Sequence, residues 1–227
     1  MKHAALFISL LLVLNAHAQK DKFILKWSPL SLVDINFPTM QAGIESRLSA
    51  RISWYNEFGI NFFNYAVHVD TGFLSPNGFK AKTELRYYFR NNNKKSRPVA
   101  LSDVYYFAVN AFYVKDVHNL AIRYYYNNDS SQHRNDNFGV KKTVFGVNLI
   151  FGFQEAISKK FLFDIYGGPG IRFRHVINVN KEFVFGRDFI PSRGDYNFNQ
   201  GTIETEAKGG FSVAPNVSLG IRLCYRL

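Results

Sequence analysis

The chain has one cysteine, Cys224, in 227 residues. A lone thiol forms no intramolecular disulfide, so backbone pairing and burial must hold the fold. Histidines are few and scattered. After His3 and His17 they are His68, His118, His133 and His175, and none has metal-ligand spacing. No G-x-S-x-G elbow is present. "GGPG" at 167–170 has no following Gly-Lys-Ser/Thr, and Pro169 falls inside a strand pattern. It reads as a crowded strand bend rather than a phosphate loop. No cofactor or metal is expected. Carboxylates are also short, with 17 Asp and Glu against 28 Lys and Arg, a net charge of +11. Basic chains often bind nucleic acid. Here the basic residues recur singly between aromatics, with one cluster, "NNNKKSR" at 91–97, so no nucleic acid is expected.

Long apolar runs are missing after residue 18. Before it, "MKHAALFISLLLVLNAHAQ" has a positive start at Lys2, an apolar run from Ala4 to Leu14 and small residues at "AHA". The run is about half the roughly 20 residues that a spanning helix needs. The expectation is a signal peptide over 1–18 and a mature domain over 19–227. No cysteine follows the run, which excludes lipoprotein processing.

What is abundant is alternation with period two. In "FKAKTELRYYFR" at 79–90, Phe79, Ala81, Leu85, Tyr87 and Phe89 oppose Lys80, Lys82, Glu84, Arg86 and Arg90. "RISWYNEFGINFF" at 51–63 sets Ile52, Trp54, Phe58, Ile60 and Phe62 against Arg51, Ser53, Tyr55, Glu57, Gly59 and Asn61, with Asn56 the one break. The segments 39–48, 143–153, 161–177 and 213–227 alternate in the same way, and 102–114 does so less sharply. The first, 23–35, changes phase near Ser28-Pro29, as a bulge would make it do. That makes eight strands. Short turns are expected near 48–51, 91–100 and 156–160, and longer polar loops at 64–78, 115–139 and 178–210, with "VHNLAIRYYY" at 117–126 either extending the fifth strand or forming a hairpin in its loop.

A soluble ligand-binding barrel also alternates, with its apolar face inward. Three features favour the opposite polarity. The runs are about 10–15 residues, near the 9–11 of a tilted membrane strand. Glycine and asparagine crowd the polar face, and aromatics sit at strand ends. The expected fold is all-β, an eight-stranded antiparallel transmembrane β-barrel with short periplasmic turns and longer extracellular loops. Its lumen is expected to carry Glu45, Arg47, Arg51, Glu57, Lys80, Lys82, Glu84, Arg86, Arg90, Asp164, Arg172, Arg174 and Arg222. In so narrow a bore, charges of both signs should pair and plug it; the alternative is a narrow pore for ions or small solutes. A membrane-embedded lipid-modifying enzyme would need a base and nucleophile at the rim. His118 with Asp116 and Ser130 or Ser131 is the one candidate group, and no catalytic residue is assigned.

"LKWSPLSL" at 25–32, "GIESRLSARISW" at 43–54, "LRYYFR" at 85–90 and "YGGPGIRFRH" at 166–175 resemble the uncharacterised outer-membrane β-barrel proteins of Gram-negative bacteria that are grouped as a domain of unknown function. The resemblance implies a small OmpA-like barrel without an assigned activity. The tail resembles an outer-membrane assembly signal in Leu219, Ile221, Leu223, Tyr225 and Leu227, with Leu227 where that pattern has a terminal Phe. Expected partners are outer-membrane lipid, lipopolysaccharide and the barrel-assembly machinery. A surface partner for the loops is left open.

Overall fold

The computed structural model describes residues 23–33, 38–61, 73–89, 104–191 and 197–227. The expected signal peptide and Arg90 lie outside the described residues. Eight strands follow one another: β1 (Phe23–Trp27), β2 (Met40–Arg47), β3 (Ile52–Asn61), β4 (Phe73–Phe89), β5 (Val104–Tyr125), β6 (His133–Ala156), β7 (Phe161–Val179) and β8 (Gly210–Arg226). One helix, α1 (Asn197–Lys208), precedes β8. Each strand pairs antiparallel with the next, and β1 pairs with β8, so the sheet closes on itself. The row of paired residues leaving β1 at Ile24 reaches β8 at Asn216, ten residues from Arg226, which Ile24 also pairs. Closing a sheet with such a stagger tilts the strands by about 35–45°.

Alternation then sorts side chains between an outward and an inward face. Outward residues such as Leu85, Phe107, Val109, Leu149, Ile165 and Leu219 are exposed. Two aromatic tiers bound this apolar surface. Near the end carrying the tight turns, Phe89 packs edge-on to Phe107 at 5.5 Å, Phe107 to Phe151 at 5.3 Å and Phe161 to Tyr225 at 5.3 Å. Toward the other end, Phe79 meets Phe58 and Tyr113 at 5.8 Å each, and Phe173 meets Phe145 and Phe211 at 6.4 Å each. On β5 the tiers are represented by Tyr105 and Tyr113. At about 3.3 Å per residue and about 40° tilt, that separation is roughly 20 Å along the axis. Asn56, the polar break on this surface, accepts at Oδ1 from Thr83 Oγ1 (2.9 Å), and Thr83 Oγ1 accepts from Trp54 Nε1 (2.7 Å).

Three expectations are corrected. The first strand stops at Trp27, not near residue 35, and a 3-10 turn occupies Pro29–Val33. Proline cannot extend the ladder, and Ser31 Oγ holds the turn by donating to the carbonyls of Ser28 (2.6 Å) and Thr39 (2.7 Å). The expected loop at 115–139 is mostly strand. β5 and β6 run on to a turn at 126–132, where Asn127 and Asn128 take φ of 50° and 59°. The loop at 64–78 is likewise shortened, because β4 begins at Phe73, with a register shift between Leu74 and Asn77 around Pro76.

Glycines on the inward face make room for tyrosine rings. A Cβ on Gly152 would lie 2.2 Å from Tyr106 Cζ, one on Gly220 would lie 2.6 Å from Tyr166 Oη, and one on Gly43 would lie 2.8 Å from Tyr55 Oη. Tyr106 is fully buried and has nowhere to go. Gly152→Ala is therefore expected to cost about 1–3 kcal/mol in urea unfolding. In a Tyr106→Ala background the same change should cost close to nothing, and equal costs in both backgrounds would refute the contact.

Candidate functional site

The interior near the turn end is filled by charge. Lys26 of β1, Glu45 of β2, Glu57 of β3, Lys82, Glu84 and Arg86 of β4, Asp164 of β7 and Arg222 of β8 are brought together there, four cations with four carboxylates. Lys26 Nζ sits 2.6 Å from Glu45 Oε2 and 2.7 Å from Asp164 Oδ2. Arg86 Nη1 reaches the same two carboxylates at 3.1 and 3.0 Å, and its other edge donates to Glu84. Arg222 Nη2 lies 2.6 Å from Glu84 Oε1 and 3.3 Å from Glu57 Oε2, and Lys82 meets Glu57 at 3.1 Å. Both arginines are completely buried.

Tyrosines complete the cluster. Tyr55 Oη donates to Glu57 (2.8 Å), Tyr106 Oη donates to Asp164 (2.8 Å), and Tyr88 donates to Glu45. The Arg86 guanidinium lies 4.6 Å from the ring centres of both Tyr55 and Tyr106, and Arg222 lies 4.6 Å from Tyr55 and 3.7 Å from Tyr166. A planar cation between ring faces keeps part of the attraction it loses with its water. An apolar layer of Ile24, Ala108, Ile150, Leu162 and Cys224 packs with three of the rings.

Seven residues expected in the lumen, Glu45, Glu57, Lys82, Glu84, Arg86, Asp164 and Arg222, meet here. Arg47 and Arg51 do not join them. They flank the β2–β3 turn, where Arg47 donates to the carbonyls of Ser49 (3.1 Å) and Ala50 (3.2 Å), and exposed Arg51 reaches Tyr87 Oη at 3.2 Å. Lys80 is inward and half-buried. Arg172 and Arg174 are inward by register, above the cluster and outside it. Lys26 was not anticipated, because the phase change at Ser28-Pro29 hid the face it shares with Ile24. Tyr55 and Tyr88 share the polar faces of β3 and β4 by alternation, but their role as proton donors to carboxylates carries no sequence pattern.

A second ionic group lies beyond the far aromatic tier. His118 Nε2 is 3.0 Å from Glu206 Oε2 and His118 Nδ1 is 3.3 Å from Asp116 Oδ2, while Lys142 Nζ approaches Asp116 (2.9 Å) and Glu206 (2.8 Å). Glu206 belongs to α1, so the group ties the helix to the wall. Burial alone would lower the His118 pKa, but hydrogen bonds to the two carboxylates raise it to about 9. Above it, Leu120, Ile122, Tyr124, Phe138, Val140 and Val176 pack against Phe183 and Ala207 from the β7–β8 connection. The serines considered as nucleophiles are not here. Ser131 Oγ donates to Asp129 (2.8 Å) in the turn at 126–132, far along the strand, and both His118 nitrogens face carboxylates. Among the described residues no cluster of three metal-ligating side chains is present.

No protein-family model, curated protein or solved structure matches the chain.

Arg222→Ala leaves Glu57 and Glu84 short of a buried cation, and Asp164→Ala leaves Lys26 short of a buried carboxylate. Each is expected to cost about 3–5 kcal/mol in urea unfolding, because an unpaired buried charge is not rehydrated; a loss below about 1 kcal/mol would refute the network's role. The His118 group gives a pH dependence. The raised His118 pKa stabilises fully below its ordinary 6.5 and is lost as pH climbs through about 9. Glu206, whose pKa is lowered from 4.5, adds stability that fades as pH falls below that value. Lys142, raised from 10.5, stays charged throughout this range. Protease resistance of the 180–209 segment should be highest between about pH 4.5 and 6.5. The decline toward pH 9 should be absent in His118→Ala.

Proposed function

We propose that the chain is an outer-membrane β-barrel protein of a Gram-negative bacterium, exported by its N-terminal segment, with a lumen closed by ion pairs. Its role is structural or surface-interacting, carried by the loop end. One observation carries this reading. Along the continuous strands β5 and β6 the polarity of the two faces changes at the far aromatic tier. Below it the outward residues are Tyr105, Phe107, Val109 and Tyr113 on β5 and Phe145, Val147, Leu149 and Phe151 on β6, all exposed. Beyond it the outward positions include Lys115, Asn119, Arg123, Lys141, Asn137 and Asn135, and the apolar side chains Leu120, Ile122, Phe138 and Val140 turn inward. A soluble ring keeps one polarity from end to end. A strand passing from hydrocarbon into water needs no apolar outer face beyond the boundary, and the bounded band fits the roughly 25 Å apolar belt with flanking aromatic girdles.

The neutral ionic cluster across the bore supports a plug over the narrow pore. The enzyme reading lacks a nucleophile beside His118 among the described residues. Lipid around the belt, lipopolysaccharide at the loop end and the assembly machinery acting on Leu219, Ile221, Leu223, Tyr225 and Leu227 are the partners this reading entails. The mature chain, folded in detergent, should migrate faster on a gel unheated than boiled, and should fractionate with outer membrane. Periplasmic fractionation without a heat-dependent shift would overturn the membrane reading. In planar bilayers the wild type should show no steady conductance, whereas Arg222→Ala should begin to conduct. Stable wild-type channels would replace the plug with the pore.

A further inference from the structure

The wall of the ring is uneven. β1 has 5 residues, β2 has 8 and β3 has 10, whereas β5, β6, β7 and β8 have 22, 24, 19 and 17. β1 accompanies β8 only from Arg226 to Leu223. From Arg222 back to Gly210, β8 is paired with β7 on one side, and among the described residues no strand pairs with its other edge. The 3-10 turn after β1 lies beside this edge, yet among the described residues no backbone hydrogen bond joins the two. The odd residues of β8 address that edge, since Leu227 N donates to Phe23 O (3.2 Å) on the β1 side and Arg226 N donates to Lys160 O (2.9 Å) on the β7 side. The N–H groups of Ile221, Leu219, Val217 and Val213 therefore face the break, and Pro215 contributes none. Val217 and Leu219 are each 72 % exposed, among the most exposed apolar side chains of the chain.

Behind this break lies the inner face of β7 and β8 above the plug. It carries Arg172 and Arg174 with Ser212, Ala214 and Asn216 as their register neighbours. Arg172 is exposed although its position is inward, so this stretch of the interior is open. It has no carboxylate partner among the described residues, and its register neighbours Gly146 and Ala214 leave its guanidinium room. Arg174 donates from Nε to Ser212 Oγ at 3.2 Å. Glu206, the nearest acidic influence on Arg174, is already held by His118 and Lys142. Two guanidinium groups therefore stand at the height of the far aromatic tier, beside an apolar strand edge whose donors meet no strand among the described residues. Guanidinium groups favour phosphate oxygens, which also accept from backbone N–H.

We propose that this break is a lateral binding site for a phosphate-bearing lipid, its headgroup held by Arg172 and Arg174 and its acyl chain lying along Val217 and Leu219. The site rests on the membrane reading above. The acyl chain covers exposed β8 side chains from the hydrocarbon side, and the phosphate supplies the anion that the interior lacks.

The test uses the full mature chain purified in non-ionic detergent and native mass spectrometry with phosphatidylglycerol, phosphatidylcholine and inorganic phosphate. The expected result is one retained phosphatidylglycerol per chain and at least tenfold less phosphatidylcholine. The Arg172→Gln/Arg174→Gln double variant should retain at least tenfold less phosphatidylglycerol while keeping the heat-dependent gel shift. Arg172→Lys/Arg174→Lys should recover part of it. A phosphatidylglycerol with a photoreactive acyl chain should cross-link at Val217 or Leu219. Equal retention by wild type and Gln variant, equal retention of both lipids, or binding of inorganic phosphate without lipid would each overturn the site. A normal gel shift without lipid retention sinks this inference alone, whereas a missing shift in the wild type sinks the membrane reading.

Discussion

The buried ion-pair cluster is the constraint on which the ring depends. Its eight charges come from six strands, and most of its contacts join parts of the chain far apart in sequence. Lys26 of β1 meets Asp164 of β7, and Arg222 of β8 meets Glu57 of β3 and Glu84 of β4. Each charge is costly in a dry interior unless its partners are present together. The partners are present together only when the sheet has closed in one register. A slip of one residue exchanges the two faces of a strand, and here it would turn Glu84 and Arg86 outward. A strand of five residues such as β1 has few ladder bonds with which to specify its own place. Lys26, bound to neighbours on β2 and β7, does much of that specifying.

The tyrosines explain why such a cluster fits so small a bore. Arg86 and Arg222 lie between ring faces, so each planar cation reaches three carboxylates along its edges while its two faces pack on tyrosine rings. The rings are accommodated because glycine stands opposite them across the sheet, Gly152 facing Tyr106 and Gly220 facing Tyr166. Glycine is a poor strand former, and its abundance on the inward face reflects ring volume. Substituting glycine, tyrosine or arginine singly removes one part of an arrangement whose other parts have no second use.

The fold was most readable where one face meets an apolar surface and the other meets charge. β3, β4, β7 and β8 alternate cleanly, and their inward carboxylates and arginines could be named from spacing. The failures have a physical pattern. Residues 115–139 looked like a loop because the alternation there inverts, with Leu120, Ile122, Phe138 and Val140 inward instead of outward, and an inverted strand dilutes the period expected from its first half. Arg47 and Arg51 obey the parity of their strands but lie at the rim, and parity does not encode depth. Lys26 sits in a strand too short to show a period. Glu206 joins His118 from a helix 88 residues away, a separation that no local pattern spans.

The distribution of charge along the axis follows from these clusters. The lower group balances four cations with four carboxylates. The upper group balances Asp116 and Glu206 with Lys142 and a protonated His118. Each group is nearly neutral as a whole, so its field falls off quickly along the bore. The positive excess of the inward face of β7 is then left on Arg172 and Arg174, between the two groups. That is the same height at which β1 has ended and the edge of β8 has no strand beside it among the described residues. Among the described residues the unpaired edge of β8 runs from Arg222, in the lower group, to Gly210, beside the upper one. Between them it passes the strand that carries Arg172 and Arg174, and only along that stretch does the inward face hold cations without carboxylate partners among the described residues, which is why the proposed lipid phosphate is placed there.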